Sequence, residues 1–196
     1  SYRSGNGDLH AKGGSIMRRL IISCLVVFIL LGTSITGLTA GFFKVGETAP
    51  SFTLTSLTGE STSLESFRGK VVVLGLFHIC KPCLIQGSNL QKVHELTQGK
   101  NVVVLGVNSS GDSKGDIKDF LKTFPSTVTY PYLTDPEQMT DKLFGGGRFI
   151  PNVYIIDQHG VIQWQRVGNF NMAGHEIILN EVDKMLTAPS TGSPTL

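Results

Sequence analysis

From Val71 the run "VVVLGLF" contains no polar residue and is rich in β-branched side chains. It is the pattern of a strand buried on both faces, which needs other layers packed above and below it. "NVVVLGV", residues 101–107, repeats that pattern. Between the two, residues 82–97 carry Leu84, Ile85, Leu90, Val93 and Leu96 at roughly helical spacing. Strand, helix, strand in that order predicts an α/β domain. A hairpin or pair of short strands is expected around Thr58 and Gly59, and a helix near "KGDIKDFLKTF". "NVYIIDQHGVIQWQRVG" reads as a second hairpin with Gln158, His159 and Gly160 at its turn. A last helix in "HEIILNEVDKML" sets Ile177, Ile178, Val182 and Met185 on one face.

At 196 residues the chain suits one domain and a leader, and it can bury a core without a covalent staple. The leader starts at Met17, with Arg18 and Arg19 ahead of an apolar stretch and then small residues. This is the plan of an export signal or an uncleaved membrane anchor, with the arginines on the cytoplasmic side. Both readings stand. Cys24 reads as a small apolar residue of that leader. Residues 1–16 lack apolar periodicity and read as upstream sequence, disordered. The expected organisation is 1–16, a signal or anchor at 17–40, one domain at 44–186, and a solvated tail at 187–196. Four of the 17 basic and one of the 15 acidic residues precede the domain, which leaves a balance of 13 to 14. So even a balance gives no electrostatic reason to expect a nucleic-acid partner.

"FHICKPC", residues 77–83, contains two of the three cysteines. They stand where a buried strand ends and a helix begins, and at a helix N-terminus free amide groups favour a thiolate. Lys81 adds a cation, and Pro82 fits the first turn, where its missing N–H would have had no partner. The spacing makes Cys80 the exposed nucleophile and Cys83, one turn inward, the resolving thiol. A metal site would instead recruit His78, Cys80 and Cys83 with a distant histidine such as His175. Both chemistries remain open on the residues alone.

C-K-P-C after a buried strand resembles the C-x-P-C site of the thioredoxin fold. "GETAPSFTLTSLTGESTSLESFRGKVVVLGLF" is similar to the opening segment of the redoxins (AhpC/TSA superfamily) and of the exported TlpA/ResA-type thiol-disulfide oxidoreductases. "GVNSSGDSKGDIKDFLKTF" resembles their central insertion, and "GGGRFIPNVYIIDQHGVI" their cis-proline region. The resemblance spans about residues 44–186. It implies a central mixed sheet flanked by helices, with an N-terminal strand extension and a central insertion. It makes Cys80 and Cys83 the redox pair and Pro151 the cis-proline facing it. Ile150 would then pair with an extended substrate segment, beside Pro82 and Ile79. No cofactor is implied. The partners implied are a disulfide-bearing exported protein and a membrane electron donor, and the location is outside the cytoplasm. The TlpA/ResA branch implies a reductase, with cytochrome c maturation as one setting.

Two departures matter. Ile79 replaces the family's usual tryptophan, and Gln86 stands where a carboxylate often manages protons. An amide takes up no proton at neutral pH, so His78 is the nearest titratable candidate for that role. Among other functions, copper delivery is the main alternative, although copper-assembly relatives generally separate their cysteines by three residues. A thiol peroxidase is the other, but "GLFHIC" lacks the proline and threonine or serine that usually precede a peroxidatic cysteine. Gly145, Gly146 and Gly147 lack the Lys-Ser/Thr of a phosphate loop.

Overall fold

The computed structural model describes residues 45–145, 149–168, 170–171 and 173–187. The leader, Cys24, Gly146, Gly147 and residues 188–196 lie outside them. The elements run β1 (Thr53–Ser56), β2 (Ser61–Ser63), a 3-10 turn (Leu64–Phe67), β3 (Val71–Phe77), α1 (Lys81–Leu96), β4 (Val102–Asn108), α2 (Lys114–Lys122), β5 (Tyr132–Thr134), α3 (Met139–Leu143), β6 (Asn152–Ile156), β7 (Ile162–Val167) and α4 (Gly174–Thr187). The strands form one seven-stranded sheet in the order β2-β1-β5-β4-β3-β6-β7. β3, β4 and β5 are parallel, while β6, β7, β1 and β2 each run antiparallel to a neighbour. The fold is thioredoxin-like, a mixed sheet flanked by helices.

Every residue of β3 is buried, and its side chains alternate between two cores. Val71, Val73 and Phe77 face one core with Leu90 and Val93 of α1 and Ile178 and Val182 of α4. Val72, Leu74 and Leu76 face the other with Phe52, Leu64, Phe144, Tyr154 and Ile156. At Gly75 the missing side chain matters, because a Cβ there would lie 2.6 Å from Leu90 Cδ1 and from the Phe77 ring. That close approach lets α1 settle onto the end of β3 that carries the cysteines.

Three features differ from the sequence reading. Leu96 and Ile177 are exposed, at 57% and 36%. Leu96 closes the last turn of α1, and Ile177 lies about 100° around the helix from the Ile178 and Val182 stripe. In their place α1 buries the polar Gln86, Asn89 and Gln91. Asn89 donates to the Asn171 carbonyl at 3.1 Å and accepts from the His175 N–H at 3.1 Å, tying α1 to the start of α4. Gln91 donates to the Thr129 hydroxyl and accepts from its N–H, both at 2.8 Å. Finally, α4 continues through Thr187, one residue into the expected tail.

Candidate active site

Cys80 lies at the junction of β3 and α1 as the helix N-cap, and its Sγ accepts from the Cys83 N–H at 3.3 Å. Pro82 occupies the first turn, where no donor is lost. Cys80 is partly exposed and Cys83 fully buried, with Cα atoms 5.2 Å apart and the two joined in a disulfide. The exposed sulfur therefore sits at a helix N-terminus and the buried one a turn below it.

β6 runs antiparallel beside β3 in the sheet. Its ladder with β3 pairs Leu76 with Asn152, so Pro151 lies across from Phe77, three residues before Cys80. The Ile150–Pro151 peptide is cis. Pro151 is buried and its carbonyl accepts from the Gly168 N–H at 2.8 Å. Ile150 is partly exposed and packs beside both cores, and among the described residues it makes no backbone hydrogen bond. Ile79 and Phe149 are exposed apolar residues at 41% and 50%, one next to Cys80 and one next to Ile150.

His78 follows the last residue of β3, and its Nε2 lies 3.3 Å from Oδ2 of Asp141 on α3. Asp141 was not reached from the sequence: it stands 63 positions from His78, on a five-residue helix with too little periodicity to read. Gln86 is buried in α1 one turn beyond Cys83, and neither its Oε1 nor its Nε2 finds a hydrogen-bond partner among the described residues. His175 is at the start of α4, bonded through its N–H to Asn89. Among the described residues no three His, Cys, Asp or Glu side chains are grouped to hold a metal ion.

Residues 45–165 match the AhpC/TSA family. The chain belongs to the AhpC/TSA family. Among similar proteins of this family's kind, the thiol-disulfide oxidoreductase ResA of Geobacillus thermodenitrificans (strain NG80-2) is 29% identical over 153 residues, spanning 74% of this chain and 86% of that one. Peroxiredoxin Q, chloroplastic, of Triticum aestivum is 28% identical over 151 residues, 71% of this chain and 66% of its own. Among solved structures, a Chlorobium tepidum protein assigned as the thiol:disulfide interchange protein DsbE superposes with a TM-score of 0.65. It is 28% identical, covering 74% of this chain and 99% of its own.

Proposed function

We propose that this thiol-disulfide oxidoreductase reduces disulfides in exported proteins. The carrying observation is the Cys80–Cys83 disulfide at the β3–α1 junction, one sulfur reachable and the other buried. In the reduced protein, the Cys80 thiolate attacks a substrate disulfide and releases one substrate thiol. Cys83 then attacks Cys80 Sγ, releases the second thiol and leaves the protein disulfide. Pro151 shapes the opposite wall, and the Ile150 backbone offers an edge on which an extended substrate segment adds as a strand. Ile79 and Pro82 flank the cleft. A membrane electron donor returns the pair to the dithiol, and cytochrome c maturation is a setting that fits such a reductase.

Export rests on the leader from Met17, which acts as a cleaved signal or as an anchor. Among the described residues no helix is long and apolar enough to cross a membrane.

The deciding measurement is the reduction potential of the Cys80–Cys83 couple, equilibrated against dithiothreitol or glutathione. A value near or below about −270 mV, that of thioredoxin, supports a reductase. A value near about −120 mV, that of DsbA, would make it a disulfide donor instead. The likeness to peroxiredoxin Q supports a second reading, thiol peroxidase. Turnover of hydroperoxide by the reduced protein, faster than its reduction of a protein disulfide, would put that reading first.

A further inference from the structure

Gln86, buried one turn beyond Cys83, is an amide that takes up no proton at neutral pH, which turns attention to the outer side of the cysteine pair. There the structure places one arrangement that local sequence does not explain. Asp141 is mostly sequestered, at 13% side-chain exposure, and its Oδ1 is buried with no hydrogen-bond partner among the described residues. Its Oδ2 faces His78 Nε2 at 3.3 Å. A largely desolvated carboxylate is costly without a counter-charge, and this ion pair is complete only when the imidazole carries its second proton.

The platform beneath Asp141 is firmly held. The buried Asp135 carboxylate accepts from the Met139 N–H at 2.9 Å and from the Thr140 N–H and hydroxyl at 2.6 Å each, which fixes the start of α3. At its other end the Phe144 carbonyl accepts from the Tyr154 hydroxyl at 2.8 Å. Asp141 is therefore set by contacts of its own helix and can hold an imidazole in place. His78 is two residues from Cys80, so their Cα atoms are at most about 7 Å apart, and a cation brought within about 4–6 Å of a thiolate favours it. Among the described residues, Lys81 lies at the start of α1, Asp135 and Lys142 flank Asp141 at α3, and the Tyr154 phenol lies behind Asp141. Burial first, then the nearby Asp141 charge, push that phenol up against the opposing Asn152 hydrogen bond, so it stays neutral.

We propose that Asp141 is a positioning residue for His78, and that the His78 imidazolium it holds stabilises the Cys80 thiolate and returns the proton to the departing substrate thiolate. The step balances. Cys80 gives its proton to His78; the thiolate attacks the substrate disulfide, which is the oxidant. One S–S bond breaks as another forms, and the leaving thiolate takes the proton back from His78. This inference rests on the oxidoreductase reading above.

The test is the rate of Cys80 alkylation by iodoacetamide against pH in the reduced full chain, followed by mass spectrometry on the peptide that holds Cys80, because Cys24 is a further thiol while Cys83 is buried. His78→Ala should be slower than wild type by about tenfold at pH 6, one pH unit of thiolate stabilisation. The two should converge above pH 8, where histidine is neutral. Asp141→Asn, which leaves His78 unheld, should lose much of the wild-type advantage at pH 6, and Asp141→Glu should restore it. Profiles for wild type, His78→Ala and Asp141→Asn that superimpose, or that are displaced alike at every pH as a merely structural contact would do, overturn the proposal. Reduction of a protein disulfide is assayed on the same samples. Failure of wild type to reduce it, with the histidine-dependent profile intact, refutes the oxidoreductase reading and not the pair. Normal reduction with superimposable profiles refutes the pair alone.

Discussion

Cys80 and Cys83 are three residues apart yet differ in surroundings, and that difference is the basis of the roles proposed for them. Only Cys80 can meet a protein disulfide, because Cys83 has no exposed surface. Cys83→Ser should accumulate a mixed disulfide between Cys80 and substrate, visible as a mass increase removed by dithiothreitol. Cys80→Ser should form none, and adduct formation through Cys83 would reverse the assignment. Gln86 presents the opposite situation, a buried polar side chain whose two amide atoms have no partner among the described residues. Gln86→Leu should stabilise the oxidised protein by about 1–3 kcal/mol, the desolvation cost removed, read as a higher denaturant midpoint at unchanged slope. A lower midpoint would show that the amide is satisfied in solution. The strand-to-helix placement of the cysteines was legible in the sequence because it depends on local spacing. Asp141 was not, because nothing near position 141 marks it as facing position 78.

β3 and α1 set the geometry of the cysteine pair, and Gly75 governs how closely they approach. Its hydrogen faces Leu90 and Phe77, exposed 0% and 1%, so neither neighbour can swing into solvent. Gly75→Ala should cost about 1–3 kcal/mol through overpacking, measured by chemical denaturation, and should lower the rate of disulfide reduction by displacing the N-terminus of α1. Unchanged stability and rate would mean that the helix shifts freely. The strand runs were readable because burial on both faces leaves an unbroken apolar signature. Helix faces were read less well, since apolar spacing alone includes Leu96 and Ile177 in the buried stripe. Whether such a position is covered depends on where the neighbouring element ends. β5 and α3, at three and five residues, are too short for any periodicity to mark them.

Across the whole molecule, three tyrosines are held neutral inside the folded chain. Burial pushes Tyr130, Tyr132 and Tyr154 up from the ordinary phenol value near 10, with the neighbouring Tyr132, Asp112 and Asp141 charges adding respectively. Their contribution to stability is complete below that value. As pH rises past it, the unfolded chain releases phenolic protons that the folded chain retains, so the balance moves toward unfolding. Denaturation midpoints should hold steady between pH 8 and 9 and fall above about pH 10. Tyr132→Phe should flatten that fall, and its hydroxyl has no hydrogen-bond partner among the described residues to lose. A fall as steep as in wild type would show that the tyrosines ionise within the fold.

The sequence by itself determined the α/β class, the strand-to-helix placement of Cys80 and Cys83, and the proline that follows Ile150. These depend on periodicity and on chemistry between residues close in the chain. The tertiary structure alone decided the β3–β6 register that pairs Leu76 with Asn152, the tie from Asn89 on α1 to the start of α4, and the meeting of His78 with Asp141. Those are contacts between distant segments, fixed only when two cores close on either face of one sheet.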